Sequence, residues 1–266
     1  MFSYQDLSLM PYFYLYDTYT GDRSHANTLI KIENTLTDLG IQGRVGKLTI
    51  LKSANDLIDS AIKDGADTIV AVGNDQTVSK VVSALSLGKK PDITIGLIPV
   101  GEKEQVLAGL LGIPTGVLSC HVLSSRIIDT IDIGKVNNQY FIRSVTVEGL
   151  PTIICNEQYT IDFSHPHQVK ICNLDTWQNH GKTQIANPKN HLLETILNPI
   201  PEKGFLGFNK KSSDHSSQIV MESCRILSPG NSLPVVVDGE RVLKTPVTIK
   251  IASQSLKVIA GKKRLI

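Results

Sequence analysis

The stretch VAVGNDQTVSKVV, residues 70–82, decides the fold. Val70 to Val72 close the apolar run ADTIVAVG (66–73), and Gly73 breaks it. From Thr77 onward, Val78, Val81 and Val82 recur at helical spacing. A strand, a sharp turn and a helix in direct succession make a β-α unit. The helix N-terminus behind such a turn is a natural seat for an anion.

The same alternation repeats on both sides. YFYLYD (12–17) reads as a strand, with Gly21 in the loop after it. SHANTLIKIENTLTDLG (24–40) reads as a helix with Leu29, Ile32, Leu36 and Leu39 on one face and Gly40 as its stop. RVGKLTIL (44–51) is a second strand. SANDLIDSAIKDG (53–65) is a second helix, capped by Ser53. TVSKVVSALSLG (77–88) is a third helix, ITIGLIPVG (93–101) a fourth strand and KEQVLAGLLG (103–112) a further helix. Nearly continuous apolar strands alternating with helices predict a parallel sheet covered on both faces. Such sheets bind ligands beyond the carboxyl ends of their strands. The loops 17–21, 73–77 and 99–105 all fall there.

After about residue 124 helical periodicity gives way to short β runs separated by turn residues, among them RIIDTIDIG, QYFIRSVTVEG and LPVVVDG. This texture predicts an antiparallel β-sandwich. The expected division is an α/β nucleotide-binding domain over 1–123 and a β-sandwich substrate domain over 124–266. Residues 176–205 read as a polar loop with one helical turn.

The bulk numbers exclude several classes. A net charge of +2 on 266 residues gives no field directed at nucleic acid. No apolar run is long enough to span a bilayer, and the N-terminus lacks the pattern of a signal peptide. Cys120, Cys155, Cys172 and Cys224 are widely spaced, which reads as free buried thiols and a cytoplasmic location. His165 and His167 read as a polar turn, because no acid or cysteine stands at ligand spacing. No G-x-S-x-G hydrolase motif occurs. The GKKRLI tail reads as a solvated basic end that could touch anionic lipid.

Four patterns, in order, carry a resemblance. VGNDQTVSKVV resembles the G-G-D-G-T-x-x-E-V-V loop of the diacylglycerol kinase catalytic family, which includes sphingosine kinases and bacterial lipid kinases. IGLIPVGEKEQVLAGLLGIP is similar to its P-x-G-T-x-N-D strand, helix and L-G-I-P. RIIDTIDIGKVNNQYFIRSVTVEG resembles its entry to the β domain, and VVVDGERVLKTPVTIKIASQSLKVIA its D-G-E segment and closing strands. YDTYTG (16–21) corresponds to its opening N-P-x-S-G loop.

The resemblance implies an α/β nucleotide-binding domain followed by a β-sandwich. It also implies ATP- and Mg²⁺-dependent phosphoryl transfer to a lipid hydroxyl, with a lipid substrate and peripheral membrane contact. It places Thr49, Gly73, Asn74, Asp75, Gln76, Thr77, Gly101 and Glu102 at the nucleotide, with Asp75 in the metal network. Asp238 is implied as general base, with Glu240 in support. Read as residues alone, Asp238-Gly239 is first of all a tight hairpin turn, and Asp75 or Thr77 a helix cap.

The chain departs from the pattern at several places. Asn74 takes a glycine's position, as a residue that tolerates a left-handed backbone. Gln76 puts bulk where phosphate approaches. Lys80 replaces a glutamate, and Asp17 an asparagine. Glu102, Glu104 and Gln105 replace the Thr, Asn and Asp of the second motif. Glu102 and Glu104 are expected as first-turn acids of the following helix. The family's D-G-x-L-D metal stretch has no clear equivalent before the last β segment, where Glu202 and Asp214 are the acids. These losses motivate the alternative of a catalytically impaired member that binds nucleotide or lipid.

Overall fold

The computed structural model describes residues 11–85, 92–102, 104–179, 181–201 and 216–266. The chain forms two compact units, Met1–Ile131 with Gln254–Ile266, and Asp132–Ser253.

The first unit has strands β1 (Tyr12–Tyr16), β2 (Arg44–Lys47), β3 (Thr68–Gly73) and β4 (Thr94–Pro99). Its helices are α1 (Ala26–Asp38), α2 (Ala54–Lys63), α3 (Asp75–Ala84), α4 (Val106–Leu110) and α5 (Leu118–Ser125). The strand order is β2-β1-β3-β4, with every neighbour parallel. All residues of β1, β3 and β4 are buried, which is why those strands read as unbroken apolar runs. The edge strand β2 buries only Gly46. Because all four strands run the same way, the loops after Tyr16, Lys47, Gly73 and Pro99 share one edge of the sheet.

The second unit is a sandwich. One layer orders Ser217–Met221, Leu193–Pro199, His167–Cys172, Ser144–Gly149, Pro234–Val237 and Arg241–Lys244, all antiparallel. The other sets the first residues of Val247–Ile259 against Ser223–Leu227, then Thr152–Cys155, then Tyr159–Asp162. Val145, Val147, Val169 and Val235 of the first layer share one core with Ile153, Cys224, Ile226 and Ile249 of the second. All four cysteines are free and buried. No helix among the described residues is long and apolar enough to cross a membrane.

Several expectations are corrected. The division falls at Ile131/Asp132, and Gln254–Ile266 returns to the first unit. Lys257 and Val258 pair in parallel with Thr94 and Ile95 of β4, so the chain's last strand finishes the first sheet. The described part of the segment 176–205 is not a loop. It holds the strands Thr176–Asn179, Lys182–Ile185 and Leu193–Pro199. Trp177, Ala186 and Ile196 pack there with Cys172. The first five residues of Leu193–Pro199 are all buried, so no alternation marks the strand, and Glu194 and Thr195 disguise it as polar. β2 ends at Lys47 rather than 51, and α5 was not anticipated. The third helix beyond 85, the N-terminal residues 1–10, and Glu202 and Asp214 lie outside the described residues.

Candidate functional site

The turn after β3 is closed by its own side chains. A Cβ on Gly73 would fall 2.1 Å from Thr77 Oγ1, so glycine is what lets the Thr77 hydroxyl fold back over the turn. Asn74 is not left-handed. Its φ of −123° and ψ of −168° are extended, and it is the N-cap of α3. Its Oδ1 accepts the amides of Gln76 at 3.1 Å and Thr77 at 3.3 Å. Thr77 Oγ1 accepts the Asn74 amide at 3.1 Å, completing a capping box. The Asp75 amide donates to Glu104 O at 2.9 Å, and the Val78 amide to Asn74 O at 3.2 Å. The amides that α3 would offer an anion are therefore engaged within the protein. Gln76 is half-buried at the head of the helix.

Asp75 is 1% exposed. Its Oδ2 accepts the Val106 amide at 2.9 Å and its Oδ1 the Leu107 amide at 3.1 Å. It thus caps α4, whose own N-cap residue, Gln105, makes no capping bond. Glu102 and Glu104 are not first-turn acids, because α4 begins only at Val106. Both are exposed in the preceding loop. Glu104, at φ +56°, accepts a hydrogen bond from Asn74 Nδ2 at 3.0 Å. Gln105 Nε2 donates to Val100 O at 3.1 Å and Gly73 O at 3.3 Å, tying the two loops together. Gly101, at φ +84°, makes the bend that frees this loop from β4.

Two departures from the family pattern meet in space. Lys80 Nζ lies 3.0 Å from Asp17 Oδ2, and Thr77 Oγ1 donates to the same oxygen at 2.9 Å. Asp17 is 5% exposed. Burial opposes its ionisation, but Lys80, with Thr77 and the Thr18 amide, outweighs it and holds the carboxyl below the usual range. A folded-state pKa below the unfolded one contributes stability that is present above the unfolded value, about 4, and lost as pH falls through the folded value. Lys80→Met should therefore cost about 2–3 kcal/mol at neutral pH. The gap to wild type should close as pH falls below about 4. Urea midpoints measured across that range check this, and a gap independent of pH removes the pair from the account.

Thr49 stands apart from these groups. It is exposed beyond the end of β2, and its Oγ1 accepts the Lys52 amide at 3.1 Å within a turn. Around the closed loops lies a cleft of about 690 Å³ lined by Tyr19, His25, Asn74, Gly101, Glu102 and Glu104. Tyr19 donates to Val100 O at 3.1 Å and sets its ring edge-on to His25. Tyr19 and His25 were not singled out from the sequence. Their only signal was that the loop after β1 ends on the same edge as the others.

In the second unit Asp238 and Gly239 take φ of +51° and +78°, so the Asp-Gly hairpin turn is present. Asp238 Oδ1 accepts the Arg143 amide at 2.9 Å and the Ser144 amide at 3.3 Å. Its Oδ2 accepts the Ile142 amide at 3.3 Å and Arg241 Nη2 at 3.2 Å. These contacts fill the roughly four acceptor positions of a carboxylate, and the side chain has no exposed surface. The carboxylate expected as general base is a structural anchor in this arrangement. Glu240, two residues on, is exposed. Asp175 carries no sequence signal, yet it accepts hydrogen bonds from Arg143 Nη2 at 2.9 Å and Ser144 Oγ at 2.7 Å. Although burial opposes it, Arg143 and Lys170 keep its carboxyl below the usual range.

No group of three His, Cys, Asp or Glu side chains among the described residues could hold a metal. Nor do the loops fit a magnesium triphosphate as they stand. The cradle amides are taken, Asp75 is committed to α4, and Glu102 and Glu104 bring negative charge to the cleft.

The fold is an α/β unit with a cleft beside the loops at the carboxyl edge of its sheet, joined in sequence to a β-sandwich. Residues 11–136 match the diacylglycerol kinase catalytic domain family. The chain is 30% identical over 131 residues to a diacylglycerol kinase of Bacillus subtilis (strain 168), covering 48% of this chain and 42% of that protein. The match thus spans less than half of that relative's own length. A crystal structure of a diacylglycerol kinase from Bacillus anthracis str. Sterne superposes with a TM-score of 0.75 at 15% identity, over 97% of this chain and 100% of that one. An NAD kinase from Archaeoglobus fulgidus in complex with ATP gives 0.61 at 14%, over 96% and 95%. The resemblance read from the motifs holds over residues 11–136, and the fold is shared with these structures over nearly the whole chain.

Proposed function

We propose that this chain accepts a nucleotide in the cleft of its first unit, as part of ATP- and Mg²⁺-dependent phosphoryl transfer to a lipid hydroxyl such as that of diacylglycerol. The observation that carries the reading is that the whole cleft lies within the segment matching the family. The chain's own residues supply a pocket with an aromatic wall at Tyr19 and His25.

A second reading, binding without transfer, is favoured by one specific observation: Asn74 occupies the Gln76 and Thr77 amides. Calorimetry with ATP and ADP, with and without Mg²⁺, separates the readings when run on wild type and Asn74→Gly. Magnesium-dependent micromolar binding by wild type supports the nucleotide assignment, and movement of label from γ-labelled ATP to micelle-dispersed diacylglycerol then decides for transfer, its absence for the second reading. Binding gained only in Asn74→Gly identifies a cradle closed by its own cap. No binding by either protein overturns the nucleotide assignment.

A further inference from the structure

The turn after β2 breaks the local rules. Thr49 and Lys52 close it through two backbone hydrogen bonds of 3.3 Å. Its two central residues are Ile50 and Leu51, where turns ordinarily place Gly, Asn, Asp or Pro. Their relative exposures are 105% and 92%, so neither side chain rests on the protein. Single exposed apolar residues are ordinary, whereas two large adjacent ones at a turn tip mark a contact surface. A place where local chemistry is broken without a structural gain is where function is expected.

The flanks identify the occupant. Lys47 and Lys52 are exposed on either side of the tip, and neither forms an ion pair among the described residues. An apolar tip between cations matches the interfacial layer of a bilayer, where apolar side chains enter the acyl boundary and ammonium groups meet anionic headgroups. The turn also shares the carboxyl edge of the sheet with the loops of the cleft.

We propose that the Thr49–Lys52 turn is a membrane-docking tip, which seats Ile50 and Leu51 in a bilayer containing anionic phospholipid. The proposal rests on the lipid kinase-like reading for its purpose and on the turn's own geometry for its physics. Two weak signals act together, as reversible membrane attachment requires. The docking holds the cleft-bearing edge against the surface that displays a lipid acceptor.

Vesicle flotation without nucleotide tests it, using phosphatidylcholine alone and phosphatidylcholine mixed with phosphatidylglycerol. The full chain should float with the mixed vesicles and hardly with the neutral ones. Ile50→Ser/Leu51→Ser should weaken that binding by about ten-fold or more, with its thermal midpoint unchanged. Lys47→Gln and Lys52→Gln should each weaken it roughly five-fold at low salt. Equal binding by the double serine variant overturns the proposal, as does indifference to anionic lipid. Tip-dependent self-association in sedimentation equilibrium, without vesicle binding, also overturns it in favour of a second copy of this chain. Vesicle binding without phosphoryl transfer leaves the docking tip standing and removes the kinase reading. Transfer to micelle-dispersed lipid, unaffected by the tip variant and without vesicle binding, does the reverse.

Discussion

Asp238→Ala should destabilise the second unit by about 3–5 kcal/mol, a large share of an ordinary domain's total. Truncation leaves the amides of Ile142, Arg143 and Ser144 without their acceptor and Arg241 without its counter-charge. Each buried donor so orphaned costs about 1–3 kcal/mol before relaxation. Asp238→Asn should lose about half as much, because its one oxygen can still accept while its NH₂ faces donors. Urea denaturation followed by circular dichroism reads both, and a midpoint unchanged in Asp238→Ala would remove the anchoring role. A loss of kinase activity in an Asp238 variant is therefore evidence about chemistry only after the folded fraction has been matched to wild type. Glu240→Gln, at an exposed position, tests the chemistry of the same turn with little structural cost.

Asp75→Ala should cost the first unit about 2–4 kcal/mol by a different route. Here the carboxylate spans two loops, and its removal leaves the Val106 and Leu107 amides bare at the head of α4. The loss should appear as local opening, with α4 and the loop 101–105 exchanging their amide hydrogens faster while β3 stays protected. Mg²⁺ should leave wild-type stability unchanged if Asp75 acts only as this cap. A magnesium-dependent rise in midpoint that Asp75→Ala abolishes would instead give the carboxylate a metal role.

Much of this was legible in the sequence, for a physical reason. Strands buried on both faces must be apolar throughout, so β1, β3 and β4 announced themselves, and the parallel order fixed the edge on which the loops gather. Leu193–Pro199 hid because its polar residues are buried with partners: Glu194 accepts hydrogen bonds from the Asn187 amide and Gln218. The site was legible as a set of positions but not as a set of roles. Gly73, Asn74, Asp75 and Thr77 do converge on one turn. However, a sequence does not say whether a carboxylate faces a ligand or a neighbouring helix. Asp75 and Asp238 both face backbone amides that lie far away in the chain. The pairing of Asp17 with Lys80 is a further case. Each alone looks like a damaging replacement, and together they neutralise one another across 63 positions.

The parallel pairing of Lys257 and Val258 with β4 also sets a timetable. A ribosome makes β1 to β4 early, but the open side of β4 keeps its ladder groups unpaired until residue 258 has been made. The first unit to be synthesised is thus the last to be sealed. During that interval its exposed edge is a template for any other strand, including the nascent β-rich second unit or a neighbouring chain.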